Sequence, residues 1–210
     1  MNLIFEKITN LKIIPVIKIE NSNATVPLGE ALIKGGLPAI EITYRTDAAE
    51  KAINIVRKKF PDILLGAGTI LTIDQVKSAM NAGAQFLVSP GFNPRIVDYC
   101  MGNNITIIPG INTPSEIEQA LERELRYLKF FPAEASGGLL YLNAIAAPYF
   151  NVNFMPTGGI NLNNLKEYLA NKYVFACGGS WMAKTTLISE GRFEEIEGLV
   201  KQAVRMVEGV

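Results

Sequence analysis

The sequence predicts a parallel α/β protein, with a (β/α)8 barrel as its architecture. Short apolar runs alternate with amphipathic stretches about eight times, and no long linker or low-complexity segment interrupts the pattern. Over 210 residues this leaves about 26 residues for each unit, which is enough for one strand and one helix. The alternative is an open doubly wound sheet, which normally uses fewer strands at this length. We therefore expect a single (β/α)8 barrel domain over residues 1–210.

The candidate strands are the short apolar runs. They occupy residues 13–19, 39–43, 64–69, 86–89, 106–109, 127–131, 153–157 and 174–178. Helix-start signals lie between them. Thr113 is followed by proline and Glu116, the pattern of a capping box, and Asp47, Thr72 and Asn93 offer further N-caps. The last helix carries an apolar stripe made of Phe193, Ile196, Leu199, Val200, Ala203, Val204 and Val207.

Composition indicates a soluble globular protein with a large core. Hydrophobic residues make up 49% of the chain, and 20 basic residues balance 20 acidic ones. There is no basic block and no apolar run near the roughly 18 residues that cross a bilayer, so we expect neither nucleic acid nor membrane as a partner. The N-terminus lacks a signal-peptide pattern. We expect a cytoplasmic protein in which Cys100 and Cys177 are reduced thiols.

The chain contains no histidine. This excludes Ser-His-Asp and Cys-His catalysis, and it argues against the usual catalytic zinc sites, which mostly use histidine ligands. Acid–base chemistry must therefore use carboxylate, lysine, tyrosine or water. We expect a site without metal or cofactor.

One lysine lies inside an apolar, aromatic strand. With a period of two, Tyr127, Lys129 and Phe131 share one face, while Leu128 and Phe130 share the other. A buried ammonium group is unfavourable unless it is paired or deprotonated, and a neutral amine is a nucleophile toward carbonyls. The functional interpretation is a Schiff-base lysine. The structural alternative is a lysine that extends its ammonium group to water at a strand end.

Polar residues concentrate at the carboxyl ends of the predicted strands, where barrel active sites lie. Glu41, Thr43 and Arg45 share a face at the end of the second strand. Arg45 is suited to bidentate carboxylate recognition and Glu41 to proton transfer, although the two could simply neutralise each other as an ion pair. The third strand ends at Thr69, beside a glycine-rich backbone.

Glycine pairs follow the last two strands. Gly158-Gly159 follows the seventh, and Gly178-Gly179, with Ser180 next, follows the eighth. Loops at these positions form phosphate sites in many barrels, because exposed amides face the anion. A glycine pair can also be only a tight turn. The loop Glu134 to Gly138 after the sixth strand extends the same polar rim.

Seven short motifs, in order along the chain, closely resemble those of the bacterial 2-keto-3-deoxy-6-phosphogluconate (KDPG) aldolase family, which also includes 4-hydroxy-2-oxoglutarate (KHG) aldolases. The motifs are EITYR at 41–45, GAGT at 66–69, SPG at 89–91, IPG at 108–110, KFFPAE at 129–134, PTGGI at 156–160 and GGSW at 178–181. The resemblance implies a homotrimeric class I aldolase with a (β/α)8 barrel.

The resemblance also implies a role for each site residue. Lys129 matches the Schiff-base lysine and Glu41 the acid–base carboxylate, while Arg45 and Thr69 match positions that hold the keto-acid carboxylate. Pro90 and Phe131 match apolar walls near the pyruvyl group, and Thr157 matches a residue that contacts the substrate beyond the ketone. The phosphate site is matched by Gly158, Gly159, Gly179 and Ser180. Lys18 stands where some relatives carry arginine and others an apolar residue, and we expect a surface lysine there.

The activity implied by the resemblance is reversible cleavage of KDPG to pyruvate and glyceraldehyde 3-phosphate, with KHG cleavage to pyruvate and glyoxylate as a second activity. An enzyme acting mainly on KHG, or on the 6-phosphogalactonate epimer, is the nearest alternative. A noncatalytic sugar-phosphate-binding barrel is an alternative from another class, and it would bind ligand without forming an imine.

Overall fold

A computed structural model describes residues 3–208 and confirms the predicted (β/α)8 barrel. We number the barrel strands in chain order, and the fifth consists of two pieces. The strands are Ile13–Ile17, Ala39–Thr43, Leu64–Gly68, Phe86–Val88, Ile107–Ile108 with Gly110–Ile111, Tyr127–Phe130, Asn153–Pro156 and Cys177–Gly179. The helices are Leu3–Leu11, Thr25–Lys34, Ala49–Lys59, Ile73–Ala82, Pro94–Gly102, Pro114–Leu121, Gly138–Ala146, Leu165–Leu169, Thr185–Ser189 and Phe193–Val207.

Parallel pairing carries the strands around a closed ring. The first strand pairs with the second and also with the eighth, where Ile13 lies opposite Cys177. The seventh strand meets the eighth through a bridge between Thr157 and Gly178. Pro109 divides the fifth strand, since it has no N–H to donate, yet its carbonyl oxygen still accepts a 2.9 Å hydrogen bond from the amide of Lys129.

Three of the four predicted N-caps form. Thr113 and Glu116 make the capping box, the hydroxyl of Thr72 accepts from the third residue of its helix at 3.1 Å, and Asn93 caps the helix that begins with Pro94. The Asp47 prediction is wrong. That helix has Ala48 at its N-cap, without a side-chain cap, because the chain turns once more before the helix begins.

Both cysteines are free and buried. Burial raises the pKa of the Cys100 thiol to about 11 and raises that of Cys177 as well. Both groups therefore stay protonated at neutral pH and pack as small apolar residues. Separately, no helix within residues 3–208 is both long enough and apolar enough to span a bilayer.

The amino-terminal helix Leu3–Leu11, which the sequence analysis did not predict, closes the floor of the barrel. Ile8 is fully buried within the inner core. The ring of Phe5 stacks on Tyr127 with centroids 4.2 Å apart, and Tyr127 meets Phe175 edge-on at 5.0 Å. Apolar packing therefore seals the end of the barrel where the strands begin, and functional groups are left to the opposite end.

Ile8→Ala should lower the free energy of unfolding by about 2–5 kcal/mol, because it leaves a cavity beneath the barrel. Lys7→Ala, on the exposed face of the same helix, is the control and should change stability by less than about 0.5 kcal/mol. Urea unfolding of both variants measures the difference. Equal stability of the two variants would mean that this helix does not support the barrel floor.

Candidate active site

A buried ion pair lies at the centre of the site. Lys129 on the sixth strand is 5% exposed, and Glu41 on the second strand is 0% exposed. Lys129 Nζ lies 3.6 Å from Glu41 Oε1, and neither carboxylate oxygen accepts a hydrogen bond from a residue in the described part of the chain. The ion partner of Glu41 is therefore Lys129, whereas the sequence left open a pairing with Arg45. The two charges compensate each other, but their hydrogen-bonding capacity is available to a ligand.

Glycines on neighbouring strands make the space for this pair. A Cβ atom at Gly68 would lie 2.0 Å from Glu41 Oε1, so any side chain there would displace the carboxylate. Gly110 lies opposite Lys129 in the parallel register, and a Cβ atom on it would lie 2.2 Å from the carbonyl oxygen of Pro90. Pro90 therefore contacts the strand beside the lysine, but it does not line the cavity described below.

The sixth strand continues from the pair into the wall of the site. Lys129 Nζ lies 5.2 Å from the centroid of the Phe131 ring, within the range of a cation–π contact. Thr43, two residues after Glu41, donates a 3.0 Å hydrogen bond to the carbonyl oxygen of Ile17. The Phe131 ring thus lies near the amine, and the Thr43 hydroxyl is held on the strand that carries Glu41.

Arg45 and Thr69, both predicted to hold the keto-acid carboxylate, contact each other at the rim. Arg45 Nε donates to Thr69 Oγ1 over 3.3 Å, and the guanidinium group is exposed. Thr69 has a φ of 56°, a left-handed conformation that is rare for a β-branched residue and carries a strain of about 1–3 kcal/mol. The backbone turn at Thr69 therefore fixes a hydroxyl beside a guanidinium group that can receive a carboxylate.

A cavity of about 390 Å³ opens at the carboxyl ends of the strands. Seven residues predicted for the site line it: Arg45, Phe131, Thr157, Gly158, Gly159, Gly179 and Ser180. Eight more were not predicted as binding residues: Val16, Lys18, Thr43, Ile160, Gly178, Ala183, Lys184 and Thr185. The cavity lies next to the buried pair, since Thr43 ends the strand of Glu41 and Phe131 directly follows the strand of Lys129.

The loops after the seventh and eighth strands each contain a backbone N–H group that makes no hydrogen bond within the described residues. Gly158 and Gly159 have φ values of 97° and 85°, which favour glycine. The side-chain amides of Asn161 and Asn164 donate to the Gly159 carbonyl oxygen at 2.9 and 3.1 Å. Among residues 3–208, the backbone N–H groups of Gly159 and Ser180 donate to no protein acceptor. They are therefore available to an anion.

At the second pair, Gly178 and Gly179, glycine is required because neighbouring side chains leave no space for a Cβ atom. Their φ values are not unusual. A Cβ atom at Gly178 would lie 2.4 Å from Thr157 Oγ1, and one at Gly179 would lie 1.7 Å from Cζ3 of Trp181. The eighth strand thus approaches the seventh closely enough for Thr157 and Ser180 to face one cavity. A side chain at Gly178 would separate these strands, and one at Gly179 would displace the Trp181 ring.

Glu134 supports the first glycine loop and does not line the cavity. A Cβ atom at Gly159 would lie 2.4 Å from Glu134 Cγ, and the Glu134 amide donates to the Gly158 carbonyl oxygen at 3.0 Å. Tyr168, which is 1% exposed, donates its hydroxyl proton to the Glu134 carboxylate. Burial, and then this hydrogen bond, raise the pKa of Tyr168, so it remains a donor at neutral pH.

Two lysines in the cavity wall were not identified as binding residues. Lys18 was expected on the surface, but it lines the cavity while 40% of its side chain stays exposed, and it forms an ion pair with Glu20. Its strand ends at Ile17, so the pattern of alternation no longer indicates its direction. Lys184 precedes a short helix outside every recognised motif, and no sequence signal pointed to it.

The closed barrel, the buried amine beside a carboxylate and the adjoining cavity suited to an anion are together the features of a Schiff-base barrel enzyme. Comparison with known proteins then gives the family. The model of the KDPG and KHG aldolase family matches residues 4–199, and the chain belongs to this family.

Relatives and solved structures resemble the chain over nearly its whole length. The 2-dehydro-3-deoxy-phosphogluconate aldolase of Treponema pallidum is 49% identical over 207 residues, covering 99% of each chain. KDPG aldolase from Legionella pneumophila, solved with pyruvate as a covalent carbinolamine intermediate, has a TM-score of 0.89 and 39% identity, covering 92% of this chain and 93% of that one. The Zymomonas mobilis KDPG aldolase with 3-phosphoglycerate has a TM-score of 0.87 and 34% identity, with coverages of 95% and 94%.

Lys129→Met should lower the free energy of unfolding by about 3–5 kcal/mol, because Glu41 remains buried without its cation. Adding Glu41→Gln should recover at least about 1 kcal/mol, since it removes the uncompensated charge. Urea unfolding at pH 7 of the parent, both single variants and the double variant completes the cycle. If Lys129→Met and the double variant unfolded at the same urea concentration, the burial of Glu41 would not depend on Lys129.

Proposed function

We propose that this protein is a class I aldolase that reversibly cleaves KDPG to pyruvate and glyceraldehyde 3-phosphate. The observation that carries the proposal is the buried Lys129 amine 3.6 Å from the Glu41 carboxylate. Relatives that cover almost the whole chain bear the name of this activity. The covalent carbinolamine in the Legionella pneumophila enzyme is the intermediate that such a lysine forms with pyruvate.

The reaction begins at the ketone. Glu41 takes a proton from the Lys129 ammonium group, and the neutral amine then attacks C2 of the substrate. The resulting carbinolamine takes that proton back on its hydroxyl group and loses water, which leaves a protonated imine and the Glu41 carboxylate. Glu41 moves protons during both steps, directly or through a water molecule. Its two oxygens accept no hydrogen bond from residues 3–208, so both are available for this work.

Carbon–carbon cleavage uses the imine as an electron sink. Glu41 removes the proton of the C4 hydroxyl, the C3–C4 bond breaks, and its electron pair passes through C2 to the imine nitrogen. Glyceraldehyde 3-phosphate leaves as the aldehyde. The enamine that remains takes a proton at C3, and hydrolysis of the imine releases pyruvate and regenerates Lys129.

The rest of the site would hold the substrate at its two charged ends. Arg45 and Thr69 bind the keto-acid carboxylate, while Pro90 and Phe131 form apolar walls near the pyruvyl group. Thr157 contacts the substrate beyond the ketone. The phosphate end would lie against the two glycine loops, at Gly158, Gly159, Gly179 and Ser180. The 3-phosphoglycerate present in the Zymomonas mobilis structure supports a phosphate end in this family.

KHG cleavage to pyruvate and glyoxylate is proposed as a second activity, because the family includes KHG aldolases. KHG has no phosphate for the glycine loops, so we expect KDPG to be the better substrate. The 6-phosphogalactonate epimer differs from KDPG only at C4, near Thr157. Measurement of kcat/KM on all three purified substrates ranks them, and a noncatalytic sugar-phosphate-binding barrel would cleave none.

We further propose that the protein works as a homotrimer in the cytoplasm, with the whole of residues 1–210 as one domain and no cofactor. Family membership supports the trimer, and the balanced composition supports the location. Sedimentation equilibrium of the purified protein measures the oligomeric state. Retention of activity after dialysis against a chelator would agree with metal-free chemistry.

Pyruvate and borohydride together should attach one three-carbon unit to Lys129, because reduction traps the imine. Peptide mass spectrometry locates the modification, and the Lys129→Arg variant is the control that should remain unlabelled. Lys18 and Lys184 line the adjoining cavity and are the internal comparison. Labelling at either of these, or no labelling of an active preparation, would overturn the assignment of Lys129.

Glu41→Gln should reduce turnover by about 10²–10⁴-fold, the usual contribution of a positioned acid–base group. KM should change much less, since Arg45 and Thr69 remain. Glu30→Gln, in an exposed ion pair on helix Thr25–Lys34, is the matched control and should keep parental kinetics. Steady-state assays measure kcat and KM of both variants. Near-parental turnover in Glu41→Gln would mean that Glu41 only compensates the charge of Lys129 and takes no part in proton transfer.

A further inference from the structure

Lys184 is a positively charged residue that lines the cavity, and it has no role in the reaction proposed above. It lies between the short turn Trp181–Ala183 and the helix Thr185–Ser189, just beyond the eighth strand. It lines the same cavity as Gly159 and Ser180. Within the described residues it forms no ion pair with an acidic side chain.

The other cations near the cavity already have partners. Lys18 pairs with Glu20, Lys129 pairs with Glu41, and Arg45 donates to the hydroxyl of Thr69. No aspartate or glutamate lies among the described residues that line the cavity. Lys184 is therefore the lysine of the cavity wall whose positive charge is not compensated by a carboxylate.

We propose that Lys184 determines the preference for phosphorylated substrates by pairing with the phosphate dianion, an inference that rests on the proposed function. A phosphomonoester carries a charge of about −1.5 to −2 at pH 7. The backbone N–H groups of Gly159 and Ser180 and the Ser180 hydroxyl orient such a group, but they bring no net charge. Lys184, an exposed residue that lines the same cavity, supplies that charge.

This role has a defined kinetic consequence. The pair Lys129–Glu41 performs the chemistry from beneath the cavity, and Lys184 is remote from it in the chain and lies on a different strand end. Loss of the Lys184 charge should therefore raise KM for the phosphorylated substrate and leave kcat almost unchanged. KHG, which has no phosphate, should not respond to the substitution.

The test compares Lys184→Met, Lys184→Arg and Lys18→Met with Lys172→Met. Lys172 is an exposed lysine in the turn before the eighth strand, 4.8 Å from the Tyr173 ring, and its loss changes net charge equally at the opposite end of the barrel. Each variant is assayed with KDPG and with KHG at low and high salt. Binding of inorganic phosphate is measured separately by calorimetry and by the fluorescence of Trp181, the sole tryptophan.

Lys184→Met should lower kcat/KM for KDPG about tenfold through KM, as expected for one charge-assisted hydrogen bond, and the loss should shrink at high salt. KHG cleavage should stay within about twofold of the parent. Inorganic phosphate should bind more weakly by a similar factor, and Lys184→Arg should restore both properties, because it keeps the charge. Lys172→Met should behave as the parent does.

Equal losses on KDPG and KHG, unchanged phosphate affinity, or a KDPG loss confined to Lys18→Met would each overturn the role of Lys184. Failure of the proposed function would look different, since the parent protein would then cleave neither substrate and form no pyruvate imine. The phosphate-binding comparison of Lys184→Met with Lys172→Met would still decide whether Lys184 holds the anion.

Discussion

The burial of Lys129 and Glu41 against each other is the constraint on which the rest of the structure depends. A lone ammonium or carboxylate group at this depth would be strongly unfavourable, so each charge requires the other. The pair in turn requires a neighbouring strand without a side chain at Gly68, where a Cβ atom would meet the Glu41 carboxylate. Glycine is needed beside the pair because two charged side chains take up space inside the barrel.

The two ends of the barrel follow different physical rules. At the floor, the helix Leu3–Leu11 and the rings of Tyr127 and Phe175 pack together and exclude water. At the open end, backbone N–H groups, hydroxyls and cations surround a cavity. The sixth strand connects the two, because Tyr127 faces the floor and Lys129, one step further on the same face, reaches the site. One alternating strand therefore joins the stabilising end to the reactive end.

Much of the architecture could be predicted, because barrel strands are buried on both faces and therefore appear in the sequence as short apolar runs. Lys129 and Glu41 stood out as charged residues inside such runs, and the resemblance of their motifs to the aldolase family supplied their expected roles. Lys184 was not, because its position depends on how two loops fold over the cavity. Helix Leu3–Leu11 was missed because its docking surface is assembled from distant strands. The Asp47 cap failed because the helix begins one residue later than predicted, with Ala48 at its N-cap.

Closure of the ring between the first and last strands affects how the chain can fold during synthesis. Ile13 emerges from the ribosome early, but its partner Cys177 is made near the end. Until then the first strand has one open edge, and Phe5 lacks the rings of Tyr127 and Phe175. An unpaired strand edge and an exposed apolar helix both invite association with other chains. A nascent or truncated chain without its last strand is therefore the form of this protein most prone to aggregate and most in need of a chaperone.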